Sequence, residues 1–404
     1  MSAQGERQPL SDITVIELGQ IVSGPMATAV LADLGAEVIK VERPGDGDRI
    51  RHAGNVGNAM FQSLNRNKRS ITINLQADRG QEIYTELVED ADIVIENLRP
   101  GAAEHLNVGY ASLSAVNPGL IYLSIKGFYD GPYGDRAGMD VVGEAMSGFM
   151  QMTGQEGEKP LRAGTSIGDF SCALYGIVGI LLALRHRKAT GEGQKITAGI
   201  FESLSHWMNY WIAYTQFVGA DHPPLGASHP SQAVYDAYQF ECDRWAFIGI
   251  VSEGQWVDLC TILGREDLLA NPNYETAALR LEHKEELSKT IASEVRRWDR
   301  DELVLQLIDT GIPAAPVNNP SSLVDDPHLE ATGLIAKSQT SDGNTEFKSL
   351  LTPISTESIR PIHKRAPPRV GEHTEKILRQ YGYTRSELDE LWESGALGQR
   401  KECQ

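Results

Sequence analysis

Short β-rich segments alternate with helical segments through the first third of this 404-residue chain. The predicted strands cover residues 13–18, 36–42, 70–75, 91–98 and 119–128. Helical spacing lies between them, for example at 24–35 and 78–90. Successive β-α-β units cross over with one hand and build a parallel sheet. The alternation therefore predicts an α/β fold with a doubly wound, Rossmann-like sheet, which binds ligands outside the carboxyl ends of its strands.

The composition changes after this α/β region. Residues 219–232, GADHPPLGASHPSQ, are rich in proline, glycine and histidine, which suits a domain boundary. A predicted hairpin at 234–252 and several helical pieces follow, and a strand-like FKSLLTPIS precedes the C-terminal helices. We expect a large α/β domain over residues 1–220, a small inserted α+β domain over 221–330, and a segment, 331–404, that returns to the large domain.

The charge of the chain limits its partners. It carries 55 acidic and 37 basic residues, which gives a formal net charge of −18. This excess disfavours general binding to nucleic acids or to anionic membranes. A solvated acidic surface explains the excess, and so does adaptation to the cytoplasm of a halophile; both explanations stay open.

The sequence favours a cytoplasmic location. The N-terminus, MSAQGERQPL, is polar and lacks the apolar core of a signal peptide. The apolar run from Ala173 to Leu184 indicates a fully buried helix and is too short to span a bilayer. The cysteines show neither a C-x-x-C pair nor zinc spacing; they are Cys172, Cys242, Cys260 and Cys403. We therefore expect free thiols in a reducing compartment, and no metal site.

Several catalytic motifs are missing. The first β-α turn, GQIVSGP, lacks the middle glycine of a dinucleotide-binding fingerprint, and Glu42 at the end of the second strand gives only weak support for a ribose site. The sequence has no phosphate-binding P-loop, no G-x-S-x-G nucleophile elbow and no H-E-x-x-H zinc motif. Hydride transfer and zinc hydrolysis are therefore poorly supported.

Basic residues instead recur near the ends of the predicted strands. They occur at Arg43, in NRNKRS (65–70), in NLRPG (97–101) and in IKGF (125–128). Each of them taken alone suits an ordinary surface charge. Together they mark one edge of one sheet in an acidic protein, which favours a phosphate-rich ligand such as coenzyme A.

Several stretches, in one order, resemble the class III CoA-transferases, the family of formyl-CoA transferase and carnitine CoA-transferase. They are VIELGQIVSGPMATAVLADLGAEVIKVERPGDGDRIR, LNRNKRSITINL, ADIVIENLRPG, IKGFYDGPYGDRAGMD, GTSIGDFSCALYGIVGILLALRHRKATGEGQKI and PPRVGEHTEKIL. The similarity runs from about residue 9 to the C-terminal helices. It implies acyl-CoA and carboxylic acid substrates, no permanently bound cofactor, and an interlocked homodimer. An aromatic helix predicted at 205–217 suits the dimer interface, or else the core of a monomer.

The resemblance also implies site residues. Asp169 matches the family's nucleophile, the carboxylate in the Gly-Asp segment before the apolar helix. The family's CoA contacts match Val22, Ser23, Arg43, Ile73, Asn74, Leu75, Asn97, Leu98, Arg99, Lys126, Gly127 and Phe128. His105 stands at a further contact position, where many members carry an arginine. From the residues alone, Asp169 suits the N-cap of a helix equally well.

Covalent catalysis follows from this resemblance. Asp169 would attack an acyl-CoA, and an aspartyl-CoA thioester would then pass CoA to a second acid without ATP. A racemase on the same fold is one alternative, but it needs two acid/base groups. Racemases of the family carry a histidine where this chain has Met139 before Asp140, so we expect Asp140 to be structural. A CoA-binding protein without turnover is the second alternative.

The acceptor acid is the least constrained part of this interpretation. The acidic chain is similar to haloarchaeal-type members that move CoA from succinyl-CoA to C4–C5 dicarboxylates such as mesaconate or citramalate. Formyl-CoA transferase has a glutamine where this chain has Val22, and a glycine run that is missing between 219 and 260, which argues against formyl and oxalyl substrates. Candidate cations for a distal carboxylate, each also suited to an ordinary surface or packing position, are Arg49, Arg51, Arg136, His206 and His229.

Overall fold

A six-stranded parallel sheet forms the centre of the larger unit of the fold. The computed structural model describes residues 8–398, and the strands are β1 (Thr14–Leu18), β2 (Glu37–Glu42), β3 (Lys68–Thr72), β4 (Ile93–Glu96), β5 (Ile121–Lys126) and β6 (Gln194–Gly199). Their order is β3-β2-β1-β4-β5-β6, and every neighbouring pair is parallel. The predicted α/β fold with a parallel sheet is confirmed, and its winding reverses between β1 and β4.

Helices cover both faces of this sheet. From residue 23 to residue 218 the helices of the chain are α1 (Ser23–Asp33), α2 (Gly54–Leu64), α3 (Asp78–Glu89), α4 (Ala102–His105), α5 (Tyr110–Val116), α6 (Asp140–Met146), α7 (Phe149–Met152), α8 (Ile167–Thr190), α9 (Ile200–Trp207) and α10 (Asn209–Val218). Adjacent strand residues point to opposite faces. Val15 lies in a core with α1, α8 and α9, whereas Ile16 lies in a core with α3 and α5. Both faces of the sheet are therefore buried, as in other parallel α/β sheets.

A smaller unit has its own core. It consists of residues 151–161 and 220–326, so a short segment that the sequence analysis assigns to the large domain groups here instead. Its antiparallel sheet contains β7 (Tyr235–Gln239), β8 (Trp245–Gly249) and β9 (Ala314–Pro316), and β7 and β8 form the predicted hairpin. Its helices are α11 (Glu253–Ile262), α12 (Glu266–Leu269), α13 (Ala277–Glu282), α14 (Lys284–Val295) and α15 (Arg300–Asp309).

The chain then returns to the larger unit over residues 327–398. This segment contains α16 (Pro327–Ala331), β10 (Ile335–Gln339), β11 (Glu346–Leu350), α17 (Thr374–Gln380) and α18 (Arg385–Glu393). The buried carboxylate of Asp33, at the end of α1, ties the segment down. It accepts hydrogen bonds from Arg66 Nε at 2.9 Å and from Thr352 N at 2.9 Å. One buried carboxylate thus joins an early helix to the returning segment.

Helix α8 is not fully buried, contrary to the prediction. Leu174, Val178 and Leu182 are 48%, 53% and 63% exposed, whereas Ala173 and Ile177 lie in the core. The four-residue spacing places the exposed side chains along one stripe. The helix has 24 residues and is long and apolar enough to cross a membrane by those two criteria, which core helices of folded proteins also meet. Its other face packs on the sheet.

The aromatic helix predicted at 205–217 is two helices. Helix α9 ends at Trp207, and α10 begins at Asn209. No residue of α10 is buried; Tyr210 and Phe217 are 64% and 88% exposed. The alternative of a core helix within one chain is therefore wrong for α10.

Candidate active site

The loop between β1 and α1 lies where the winding of the sheet reverses. Asn97, directly after β4, bridges this loop: its Oδ1 accepts a hydrogen bond from Gln20 N at 2.8 Å, and its Nδ2 donates to Gln20 O at 2.7 Å. The same Nδ2 donates to Ser23 Oγ at 3.1 Å, and the intervening Val22 is buried. Because β1 and β4 are neighbours in the sheet, residues far apart in sequence meet at their carboxyl ends.

Ile21 in this loop adopts a left-handed backbone conformation, with φ of 67°. This conformation costs a non-glycine residue roughly 1–2 kcal/mol, so its surroundings must hold it in place. Asp48 does so, because both of its carboxylate oxygens lie near Ile21 N, at 3.2 and 3.3 Å. Backbone strain of this kind clusters at functional sites.

Four charged side chains are buried beneath the loop. Lys40 Nζ lies 2.8 Å from Glu17 Oε1 and 3.0 Å from Asp48 Oδ2, and all three side chains are 0% exposed. Lys68 Nζ, also 0% exposed, lies 2.8 Å from Glu17 Oε2. Lys40 further donates to Gly19 O at 2.8 Å. These four residues, Glu17, Lys40, Asp48 and Lys68, are named here the buried ion network, and they join β1, β2 and β3 to the loop.

Burial and neighbouring charges compete within the buried ion network. Burial lowers the pKa of Lys68 to about 8, against the attraction of Glu17 and with the repulsion of Lys40. Burial acts in the same direction on Lys40, but Glu17, Asp48 and Glu42 outweigh it and raise the pKa of Lys40 above its usual range. Burial acts to raise the pKa of Glu17, yet the two lysines outweigh it and lower that pKa. Glu17 is therefore the anion on which both lysines depend.

Asp169 is the third residue of α8 and not its N-cap. The cap position belongs to Ser166, whose side chain makes no capping hydrogen bond. Asp140, the first residue of α6, does the capping instead: its Oδ1 accepts hydrogen bonds from Gly168 N at 2.7 Å and from Asp169 N at 3.2 Å. The N-cap alternative for Asp169 is therefore wrong. Ser23 lies near the carboxylate of Asp169 and acts to lower its pKa.

The protonation of Asp169 is unusual for an aspartate. Its pKa is raised to about 7, first by burial and then by the negative charge of Asp140, against the opposing effect of the Ser23 hydrogen bond. A helix N-terminus favours the ionised form, but burial is the larger effect here. Near neutral pH both the ionised and the protonated form of Asp169 are therefore populated. Perturbed carboxylates of this kind are concentrated at functional sites.

Ser23 contacts Asn97 and acts on Asp169. The amide nitrogen of Asn97 can only donate, so Ser23 Oγ accepts from it at 3.1 Å. The hydroxyl hydrogen of Ser23 is then left to donate to the carboxylate of Asp169. Ser23 is only 3% exposed, so little water competes for this bond. Ser23 thus links the loop after β1 to the first turn of α8.

A cavity of about 520 Å³ opens beside the same loop. Its lining includes five of the sequence-predicted CoA contacts: Arg43, Ile73, Asn74, Leu75 and Leu98. Strand β3 ends at Thr72, earlier than predicted, so residues 73–75 follow the strand and line the cavity. A cavity at the carboxyl ends of an open α/β sheet suits a nucleotide-bearing ligand.

The other predicted basic contacts do not line this cavity. Lys126 Nζ lies 2.9 Å from both carboxylate oxygens of Glu96 and donates to Leu98 O at 2.8 Å, so its charge is already paired. Arg99 and His105 are exposed, in the chain that follows β4. The cavity therefore takes its cationic lining from Arg43 and Arg49.

Gly127 and Phe128 serve packing in this structure. A Cβ atom on Gly127 would lie 2.3 Å from Gly138 Cα, so the two backbone segments approach as closely as only glycines allow. Phe128 is buried and packs against the rings of Tyr133 and Phe201. Their predicted contact with CoA stays a prediction.

The basic stretch at 65–70 points inwards. Arg66 Nε lies 2.9 Å from Asp33 Oδ1, and Lys68 belongs to the buried ion network. The interpretation of this stretch as part of a phosphate site is therefore wrong. Its charges neutralise carboxylates buried within the fold.

Arg51 is excluded as a ligand for a distal carboxylate. It donates two hydrogen bonds to the carboxylate of Glu42, at 2.9 and 2.8 Å, and its guanidinium lies 3.5 Å from the ring centre of Phe61. Both carboxylate oxygens of Glu42 are occupied by these hydrogen bonds, so Glu42 is not free to bind a ribose.

The four other candidate cations lie in different places. Arg49 lines the cavity, Arg136 lies over the ring of Tyr133, His206 bonds to the hydroxyl of Tyr175, and His229 belongs to the smaller unit. Of these four residues, only Arg49 lines the cavity.

Metal and thiol chemistry have little support in the described chain. Over residues 8–398, no three His, Cys, Asp or Glu side chains are grouped to hold a metal ion. Cys172 and Cys260 are free and buried. The side chain of Cys242, and the whole of Cys403, lie outside the described residues.

The buried ion network was not predicted from the sequence, although one signal of it is present there. Glu17 and Lys40 stand inside the apolar strand segments ITVIEL and EVIKVE. A charged residue in a buried strand must be paired, so each of them indicates a partner. No local pattern identifies that partner, because it comes from another strand.

Comparisons with known proteins agree with this geometry. The family model described as CoA-transferase family III matches residues 10–374. A succinyl-CoA:mesaconate CoA-transferase from Haloarcula marismortui is 34% identical over 390 residues, which is 92% of this chain and 96% of the relative. A succinate–glutarate CoA-transferase from Agrobacterium fabrum is 34% identical over 392 residues, with 93% and 96% covered.

A solved structure has the same fold. It is a CAIB/BAIF family protein from Brucella suis, with a TM-score of 0.86 and 33% identity, over 92% of this chain and 99% of that one. The strand order and the near-complete coverage leave no large part of the described fold without a counterpart. The resemblance read from the sequence is thus confirmed, and the chain belongs to CoA-transferase family III.

Proposed function

We propose that the protein moves CoA from succinyl-CoA to a C4–C5 dicarboxylate such as mesaconate or citramalate, with Asp169 as the nucleophile. One observation carries this proposal: Asp169 is a half-buried carboxylate whose pKa is raised to about 7. Asp140 caps the start of α8, so the Asp169 side chain is not needed for that role. Such a carboxylate is ionised often enough to attack and is more basic than an exposed aspartate. The relatives from Haloarcula marismortui and Agrobacterium fabrum support the dicarboxylate class by their names.

The first half of the reaction loads CoA onto the protein. The ionised carboxylate of Asp169 attacks the carbonyl carbon of succinyl-CoA, the C–S bond breaks, and a mixed anhydride and CoA thiolate result. The thiolate attacks the aspartyl carbonyl, the anhydride C–O bond breaks, and succinate leaves with the electron pair. An aspartyl-CoA thioester remains.

The second half repeats these exchanges with the acceptor. The acceptor carboxylate attacks the aspartyl carbonyl of the thioester, the C–S bond breaks, and CoA thiolate leaves. A second anhydride, between Asp169 and the acceptor, results. The thiolate then attacks the acceptor's own carbonyl, and the new acyl-CoA leaves while the Asp169 carboxylate is regenerated. Acyl-CoA and acid are substrates throughout, so no resident cofactor and no ATP is needed. The burial of Asp169 limits hydrolysis of the anhydrides by water.

Racemisation has less support than transfer. Met139 stands at the position of the racemase histidine, cannot exchange a proton, and is 65% exposed. Asp140 Oδ1 is occupied by the two backbone N–H groups at the start of α8. The chain therefore offers one reactive carboxylate at this place rather than an acid/base pair.

The substrate class is tested with a panel of acids. With succinyl-CoA, the protein is expected to form CoA thioesters of mesaconate, citramalate or glutarate, and far less with formate or oxalate. The products are separated and quantified by chromatography after equal incubation times. Transfer to formate or oxalate at the dicarboxylate rate would contradict the proposed substrates, and the covalent mechanism would be unaffected.

Ser23→Ala is expected to slow CoA transfer about 10- to 100-fold near neutral pH, since a hydrogen bond to a charged group contributes about 1.5–3 kcal/mol. Its loss raises the pKa of Asp169 further, so a smaller fraction of Asp169 is ionised and the rising limb of the pH profile moves to higher pH. The measurement is kcat against pH, with the exposed Ser112→Ala as the matched control. An unchanged profile in Ser23→Ala would exclude the hydroxyl from this role.

We also propose that the protein works as an interlocked homodimer. Two helices of the larger unit expose apolar side chains, with Leu182 on α8 63% exposed and Phe217 on α10 88% exposed. Exposed apolar surface of this kind is typical of an interface. A second copy carries the same surface, so one symmetric contact covers both copies.

A further inference from the structure

The carboxylate that caps α8 has a second buried carboxylate beside it. Asp140 and Glu144 are four residues apart on α6, so their side chains share one face of the helix. Asp140 Oδ1 accepts the two N–H groups of α8, and Glu144 Oε2 accepts a hydrogen bond from Ala163 N at 2.7 Å. Glu144 is 0% exposed. One oxygen of each carboxyl group is therefore fixed by hydrogen bonds from backbone N–H groups.

The remaining oxygen of each carboxyl group is buried without a donor. These atoms are Asp140 Oδ2 and Glu144 Oε1. Two ionised carboxylates four residues apart on one helix face would repel each other and leave both oxygens unsatisfied. Arg162 compensates only weakly, because its nearest guanidinium nitrogen is 4.0 Å from Asp140 Oδ2 and its side chain is 56% exposed.

One proton satisfies both oxygens. A protonated carboxyl group presents an O–H donor, and an ionised neighbour accepts from it. Burial raises the pKa of Glu144, and the neighbouring Asp140 acts in the same direction. Asp140 accepts two backbone N–H groups through Oδ1, whereas Glu144 accepts one, and such hydrogen bonds favour a carboxylate over a carboxylic acid. Glu144 therefore holds the proton.

We propose that a protonated Glu144 donates a hydrogen bond to Asp140 and thereby positions Asp140 to cap the first turn of α8. This proposal rests on the proposed role of Asp169, whose backbone N–H is one of the two groups that Asp140 binds. Glu144 is a positioning residue, because it acts on Asp169 only through Asp140.

The surroundings of the pair contain few competing charges. The ionisable groups that act on Glu144 most strongly are Asp140 and Arg162. Helix α9 packs against α6 through Ile200 and Leu204, which are apolar and lie close to Gly143. Asp169 is the ionisable group on α8 that faces Asp140. When a rise in pH removes the proton, two like charges meet, Asp140 turns away from α8, and transfer slows.

Glu144→Gln and Glu144→Ala test the proposal. Glutamine supplies an N–H donor without a titrating proton, so Glu144→Gln should keep kcat within about threefold and lose the fall in kcat that accompanies removal of the Glu144 proton. Glu144→Ala loses a charge-assisted bond and about 10- to 100-fold in kcat. The KM for succinyl-CoA stays unchanged in both, because the cavity is lined by other residues. Glu89→Gln, exposed on α3, is the matched control.

A second readout does not depend on activity. A carboxyl group with a raised pKa binds more protons in the folded chain, so its contribution to stability falls as pH rises through that pKa. The melting temperature of the unmodified protein should therefore fall relative to Glu144→Gln as the pH rises. Equal pH dependence of the two proteins in both kcat and melting temperature would overturn the proposal. Absence of a CoA adduct on Asp169 in the unmodified protein would instead overturn the proposed function.

Discussion

Asp169→Asn is expected to lower CoA transfer at least about 10³-fold, as removal of a covalent nucleophile does in other enzymes. The amide retains the size of the side chain and its hydrogen bond with Ser23, but it cannot form the anhydride. Binding of CoA should persist, because the cavity is lined by residues after β1 to β4 and not by α8. Steady-state rates with succinyl-CoA and a dicarboxylate, together with CoA binding by calorimetry, measure the two effects separately.

The same substitution should stabilise the fold above neutral pH. The pKa of Asp169 rises from 3.8 to about 7 on folding, so the folded chain binds more protons than the unfolded chain between these values. Stability from this group therefore falls as pH rises through that window and is lowest above pH 7. The amide introduced by Asp169→Asn does not titrate, so the variant should melt at a higher temperature above pH 7 than the unmodified protein. Asp130→Asn, at an exposed position, is the control for both measurements.

Glu17→Ala is expected to destabilise the protein by about 3–5 kcal/mol, the usual cost of breaking a buried ion pair by removing one partner. The substitution leaves Lys40 and Lys68 buried at 0% exposure, with Asp48 as the remaining anion near Lys40. It also frees the lysine that holds Gly19 O, so the loop after β1 loses an anchor. Chemical denaturation gives the free energy of unfolding.

A surface pair provides the control for Glu17→Ala. Glu82 lies 2.7 Å from Arg79, but the two side chains are 60% and 46% exposed. Glu82→Ala should therefore change the free energy of unfolding by no more than about 1 kcal/mol. Equal destabilisation by the two substitutions would show that the buried ion network contributes no more than a surface ion pair.

Local patterns were sufficient for the sheet. Strand segments such as ITVIEL and EVIKVE carry apolar residues on both faces, and the segments between the strands have helical spacing, so a parallel sheet follows. The boundaries of β3 were shifted, because the polar KRS at its start does not look like a strand. Those residues can belong to a buried strand because Lys68 forms a buried ion pair with Glu17 on β1.

Pairing between distant residues is what the sequence could not supply. The charges at 65–70 and Lys126 suit a phosphate site until their buried partners, Asp33, Glu17 and Glu96, are known. The capping of α8 has the same origin, since Asp140 comes from another helix and no local rule connects it with Asp169. The cytoplasmic location and the adaptation to high salt are inferred from the sequence alone, and both stay predictions.

The family resemblance was needed to choose between two roles for Asp169. A helix start and a lone carboxylate are equally consistent with a cap or with a reactive group. The structure excludes the N-cap role for Asp169, and the raised pKa of Asp169 fits a reactive group. The exposed stripe on α8 was not foreseen either, because a continuous apolar run does not show which side of the helix packs on the sheet.

The covalent intermediate is the central claim, and its capture is the most direct test. The protein is incubated with succinyl-CoA, quenched, and analysed by intact mass and by peptide mapping. We expect one CoA per chain on the peptide that contains Asp169, release of that CoA by hydroxylamine with formation of an aspartyl hydroxamate, and no adduct in Asp169→Asn. An adduct that persists in Asp169→Asn, or transfer by the unmodified protein without any CoA on that peptide, would contradict the mechanism.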